Sequence, residues 1–174
     1  MRENPPVSIP PSRPAPVGAQ GKPTLKDPQE IEDFLLYRFF RITHVGLRGT
    51  DDMYKRELGI SRREWRILAY LARTPDASLK ALAADAGIDV VVASRTVADM
   101  HSRGLVDKRR SPDNKRLVCL RLTDDGVQIH GKAKLMAAAY NRELAECLTD
   151  DEASFLFELL TKLERQAALL TRER

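Results

Sequence analysis

The segment from Ser78 to Leu122 is compatible with few folds. Two short helical stretches are separated by a glycine turn, and two β-prone runs then flank a turn sequence. From Gly104 to Leu122 there are six cations, Lys108, Arg109, Arg110, Lys115, Arg116 and Arg121, against two acids, Asp107 and Asp113. That net +4 equals the net charge of the whole 174-residue chain, so the remainder is balanced. Positive charge gathered on a small projecting hairpin suits a polyanion, because each phosphate it contacts releases counterions.

The helical part of the segment is read from residue size. The spacing predicts an alanine-rich helix from Leu79 to Ala86, a turn at Gly87-Ile88, and a second helix from Val90 to Arg103 ending at Gly104. Ala83 is small enough for the two helices to cross closely, and Ala93 and Val97 lie one turn apart on the side facing the first helix. Leu105-Val106 and Leu117-Val118-Cys119-Leu120 then flank Ser111-Pro112-Asp113-Asn114, the composition of a hairpin turn.

Upstream, Phe34, Leu35, Leu36, Tyr37, Phe39 and Phe40 begin a helix that Ile42, Val45, Leu47, Met53, Tyr54 and Leu58 continue. A helix apolar on nearly every side is buried on more than one face, and in a chain this small a second copy is the natural cover. Gly46 and Gly49 bend or interrupt it. Ser61 and Glu64 form a capping box for the next helix, which carries Trp65, Leu68, Ala69 and Leu71 and ends at Thr74-Pro75. Downstream, Thr123-Asp124-Asp125 caps a helix running to about Leu148, and Thr149 with Glu152 forms a second capping box. The last helix repeats Leu156, Leu163 and Leu170 at a spacing of seven, enough for an interhelical seam.

Other classes are excluded or disfavoured. No run approaches the length of a membrane span, and no apolar stretch follows Met1-Arg2, so a cytoplasmic protein is expected. Cys119 and Cys147 read as reduced thiols; each is a small buried hydrophobe or, more sharply, a peroxide-sensing thiol, although no activating cation or helix start is evident beside them. His44, His101 and His130 are scattered, so no metal site is expected, and no cofactor motif is present. Without a phosphate loop or a nucleophile elbow, the chain is not expected to be an enzyme. Residues 1–28 hold eight of the ten prolines and few large aliphatics, and read as a disordered tail.

Leu82-Ala83-Ala84-Asp85-Ala86-Gly87-Ile88, Ser94-Arg95, Arg103-Gly104-Leu105-Val106, Ser111-Pro112-Asp113-Asn114-Lys115-Arg116 and Leu122-Thr123-Asp124-Asp125-Gly126, in that order, resemble the MarR family of winged-helix transcriptional regulators. The resemblance covers roughly residues 30–172 and implies a mainly α fold with a small β-wing. Residues 61–122 would form the winged helix-turn-helix within a domain spanning 29–174, and 29–60 with 123–174 the dimerisation helices. The partners implied are a second copy and double-stranded DNA bearing a near-palindromic operator. The recognition helix would present Val91, Val92, Ser94 and Arg95, and the wing Arg109, Arg110, Asn114, Lys115 and Arg116. Arg95 suits a phosphate or a guanine edge. Val91 and Val92 replace the polar residues common there; either their methyls meet thymine methyls or one of them is buried. Arg109, Arg110 and Arg121 contact phosphate or simply form a solvated face.

The resemblance also implies a small-molecule effector, a small aromatic anion or its acyl-CoA thioester. Tyr37, Arg41 and His44 share a helix stripe, with Phe40, Trp65 and Arg66 as further candidates. The bland reading is that Phe40 and Trp65 belong to the core and the arginines to the surface. A repressor released by its effector is thus weighed against an architectural, sequence-tolerant DNA-binding protein without one. Neither the operator, the regulated genes, the effector nor the sense of regulation is written in the chain.

Charge at the wing tip makes a direct prediction. Lys115→Ala and Arg116→Ala should each weaken DNA binding and lower the magnitude of the salt slope, d log K/d log[salt], by about one. An unchanged slope for both variants removes the wing from the interface.

Overall fold

A computed structural model of the chain describes residues 25–110 and 118–172. Most of the predicted tail, residues 1–24, and the predicted wing tip with Asn114, Lys115 and Arg116 lie outside the described residues. The chain divides into two compact units, Met1–Ile42 and Thr43–Arg174. After a 3-10 turn at Ile31–Asp33 the elements are α1 (Leu35–Gly46), α2 (Arg48–Leu58), α3 (Arg62–Arg73), β1 (Ala77–Ser78), α4 (Leu79–Asp85), α5 (Val90–Ser102), β2 (Val106–Arg110), β3 (Val118–Leu122), α6 (Asp124–Ala145) and α7 (Asp150–Arg172).

The long apolar helix expected upstream is two helices. At the break, the Tyr140 hydroxyl donates to the Gly46 carbonyl, and the Leu47 carbonyl accepts from Thr50 Oγ1 at 2.9 Å and Arg62 Nη1 at 3.3 Å. Asp51 Oδ1 then accepts from the Arg62 amide at 2.9 Å, joining α2 to the start of α3. Side chains have thus replaced helical partners where Gly46 lowers the cost of leaving the helix.

Both capping boxes form. Ser61 Oγ accepts from the Glu64 amide while Glu64 Oε2 accepts from the Ser61 amide, and Thr149 and Glu152 repeat the arrangement. Thr149 holds the Glu152 carboxyl below its ordinary pKa by donating to it from both backbone and side chain.

The second unit has one hydrophobic core. Ile67, Leu68 and Leu71 of α3, Leu82 and Ala83 of α4, Ala93, Val97 and Met100 of α5, Val106 of β2, Leu120 of β3 and Ala133 of α6 are its centre. The strands form a three-stranded antiparallel sheet in the order β1-β3-β2, with Ala77 opposite Leu120, Ser78 opposite Cys119 and Arg109 opposite Cys119. The hairpin was legible in the chain; β1, only two residues long, was not. Leu120 is buried on one face of β3, and Cys119 and Arg121 lie on the other.

Gly126 follows from packing. A Cβ at this position would lie 2.1 Å from the carbonyl oxygen of Leu105, beneath the first turn of α6, where Thr123 Oγ1 accepts from the Gly126 amide at 3.0 Å. The Leu-Thr-x-x-Gly pattern therefore records the close approach of α6 to the residue preceding β2. Gly126→Ala should destabilise the protein by about 1–3 kcal/mol through overpacking, read as a lowered urea midpoint. An unchanged midpoint contradicts this approach.

Candidate nucleic-acid interface

The helix-turn-helix consists of α4, a turn and α5. Ser78 Oγ caps α4 by accepting from the Ala81 amide at 3.2 Å. Gly87 has φ +56, the left-handed backbone that glycine adopts without strain, and this lets the chain reverse between the helices. Asp89, which sequence reasoning passed over, caps α5: one carboxylate oxygen accepts from the amides of Val91 at 2.9 Å and Val92 at 3.1 Å.

On α5 the buried residues Ala93, Val97 and Met100 form one stripe. Val91, Arg95, Ala98 and Ser102 recur at i, i+4, i+7 and i+11 on the opposite stripe, all exposed. Val92 is half-buried, and its carbonyl accepts from the Thr96 hydroxyl at 2.8 Å. The two valines that the chain left equivalent therefore differ: Val91 faces solvent and Val92 is half-buried on the flank of the helix. Ser94 is exposed beside Arg95.

Three polar ties hold α5 and the hairpin in place. Arg103, just past α5, pairs with Glu64 at the start of α3, with Asp99 Oδ2 at 3.1 Å, and with the Gly59 carbonyl at 2.8 Å. Glu64 is only 7% exposed, so Arg103 compensates a carboxylate largely withdrawn from water. His101 Nδ1 donates to the Val106 carbonyl at 2.7 Å, joining the end of α5 to the start of β2. Arg121 makes two bonds to Asp76, at 3.0 and 2.6 Å, where Asp76 stands at φ +61 before β1.

Those bonds separate the wing arginines. Arg121 tethers the sheet. Arg109 Nε lies 2.6 Å from Asp107 Oδ2, and this contact holds the Asp107 carboxyl below its ordinary pKa. Arg110, at the end of β2, is exposed.

The candidate effector residues have mixed surroundings. In the first unit, the Tyr37 and Phe40 rings are neighbours at 6.2 Å, and Arg41 is exposed. In the second, Arg48 Nη2 donates to His44 Nε2 at 2.7 Å. Trp65 packs between Tyr54, with ring centroids 5.9 Å apart, and His130, stacked at 5.4 Å. Arg66 is exposed, with its Nη2 close against the Gly87 turn. The Trp65–His130 stack was not foreseen, because 65 residues separate the partners in sequence.

Burial, and secondarily Lys134, depresses the His130 pKa. The unfolded chain therefore takes up this proton at a higher pH than the native protein, so stability falls as pH drops below about 6.5 toward the native value. Trp65 is the chain's single tryptophan. Its emission should be quenched by the imidazolium with a midpoint below about 6.5, and His130→Gln should flatten the titration. A midpoint at or above that value contradicts the burial of the imidazole.

The MarR family pattern matches residues 58–117. Over 105 residues the chain is 26% identical to an uncharacterized HTH-type transcriptional regulator, YdgJ, of Bacillus subtilis (strain 168), covering 60% of this chain and 64% of YdgJ. Over 105 residues it is 30% identical to the HTH-type transcriptional regulator BilQ of Clostridium symbiosum (strain WAL-14163), covering 60% of this chain and 73% of BilQ. The chain thus spans just under two thirds of the first relative's length and more of the second's. Its fold is similar to that of a MarR/EmrR family transcriptional regulator from Acinetobacter sp. ADP1, with TM-score 0.72, 23% identity, and coverage of 81% of this chain and 99% of that one. It is also similar to the PcaV transcriptional regulator of Streptomyces coelicolor in complex with its natural ligand, with TM-score 0.63, 21% identity, and coverage of 80% and 97%.

Proposed function

This chain belongs to the MarR family of transcriptional regulators, and from that membership we propose that two copies of it grip a near-palindromic DNA operator and occlude a promoter until a small aromatic acid, or its CoA thioester, releases them. The observation that supports operator reading is the outward stripe of α5, where Val91, Ser94 and Arg95 stand exposed on a helix held at both ends. A short helix of this kind fits the major groove, and the adjacent basic hairpin is suited to the minor groove. A sequence-tolerant coating protein would have no need of a fixed, side-chain-specific face.

Dimerisation is favoured by apolar surface that the single chain leaves uncovered. No residue of α7 is buried, although it carries Phe155, Leu156, Phe157, Leu159, Leu169 and Leu170. Phe157 is 72% exposed, and on α1 Leu36 is 80% exposed. Apolar surface concentrated on whole helices marks an interface. Two-fold pairing would place two α5 helices on one duplex, as a near-palindrome requires.

The effector class rests on the family resemblance and on the aromatic and cationic side chains of α1, Tyr37, Phe40 and Arg41; that a ligand is bound at all has a parallel in a protein of similar fold, PcaV, in complex with its natural ligand. The same acids screened by thermal shift should raise the unfolding midpoint and lower DNA affinity together, by mass action.

The decisive measurement is a gel shift combined with light scattering. The native chain should be dimeric and prefer its operator over random duplex by at least about a thousandfold. Phe157→Asp should give monomers that lose that preference. A monomeric variant that still binds the operator tightly refutes the dimer, and a native chain with no sequence preference refutes the regulator.

A further inference from the structure

We propose that Val91 is a thymine reader: its methyl groups pack on the 5-methyl group of a thymine in the major groove, so the half-site recognised by this chain carries a thymine there. The inference rests on α5 being the recognition helix, as set out above.

Val91 begins the outward stripe of α5, 58% exposed, opposite the buried stripe of Ala93, Val97 and Met100. Its position is held from both sides. The Asp89 carboxylate grips the amides of Val91 and Val92, and Arg103 anchors the other end of the helix to Glu64 and the Gly59 carbonyl. A β-branched side chain in a helix has one strongly preferred rotamer, so the two methyls are already oriented before any partner arrives.

Valine has no donor or acceptor beyond its backbone, so it cannot use the polar edges of the bases. Among the groups displayed in the major groove, only the thymine methyl offers an apolar contact. Charge complementarity points to the same occupant. Arg95 lies one turn along the same stripe, exposed and without an ion-pair partner among the described residues, and the hairpin beside α5 carries Lys108 and Arg110 on its exposed surface. A cationic surround is what a polyanion requires, whereas α1 and α7 expose large apolar side chains such as Leu36 and Phe157. Val92 is half-buried on the flank of α5, outside this stripe.

The experiment uses the full-length chain. Duplexes with a randomised centre are selected for binding, and the enriched sequence is resynthesised with deoxyuridine replacing thymidine one position at a time, which deletes only the 5-methyl. At one thymine in each half-site the substitution should weaken binding by about fourfold, the value of one buried methyl-sized group. For Val91→Ala the same substitution should cost almost nothing, while uracil at other positions should behave as it does with the native chain.

If uracil is tolerated at every position, or if its penalty is as large with Val91→Ala, the thymine contact is overturned although sequence selection itself stands. If no sequence is enriched at all, the recognition-helix reading falls, and this inference falls with it.

Discussion

The Glu64 carboxylate, almost withdrawn from water beneath Arg103, anchors the interaction on which the placement of α5 depends. Glu64 completes the cap of α3 through Ser61, and Arg103 extends that cap to the far end of α5 and to the Gly59 carbonyl. Three segments are thereby referred to one charge pair. Removing one partner would leave a poorly solvated ion behind, which costs more than the net value of the pair itself. From that point the hairpin is placed by His101 donating to Val106, and the sheet is closed onto β1 by Arg121 and Asp76. The orientation of Val91 and Arg95 is thus a consequence of contacts made at the other end of their helix and below it.

The second feature is uneven burial. The core centred on α3, α4, α5 and the sheet is closed, with large side chains fully covered. The helices at the two ends of the chain are amphipathic or richly apolar, yet α1 and α7 contain no buried residue. These uncovered helices are the surface that the proposed dimer would share. In the proposed dimer, a small shift between subunits would change the spacing of the two α5 helices far more than the exposed face of either one.

Much of this was legible from local rules. The two capping boxes, the small residues Ala83, Ala93 and Val97, the turn glycine and the basic hairpin each express short-range physics: hydrogen bonds three residues apart, a 3.6-residue period, and a backbone conformation that suits glycine. What was missed has a different character. β1 is too short to show a period and exists only because β3 lies beside it. Asp89 was overlooked because an isolated carboxylate before a helix has many alternative uses. The Trp65–His130 stack and the Arg121–Asp76 pair join residues remote in sequence, and no spacing rule connects them.

The wing arginines and the paired valines show where the boundary falls. Composition and order alone were enough to place a cationic hairpin after two crossed helices, because charge and periodicity are properties of neighbouring residues. They did not distinguish Arg121, a tether, from Arg109, paired with Asp107, or from Arg110, open to solvent, and they left Val91 and Val92 equivalent. Those differences depend on which distant group lies across a strand, or which face of α5 the core of α3 and α4 covers. Such contacts arise only when the chain closes on itself, and folding thereby left Val91 exposed and Val92 half-buried.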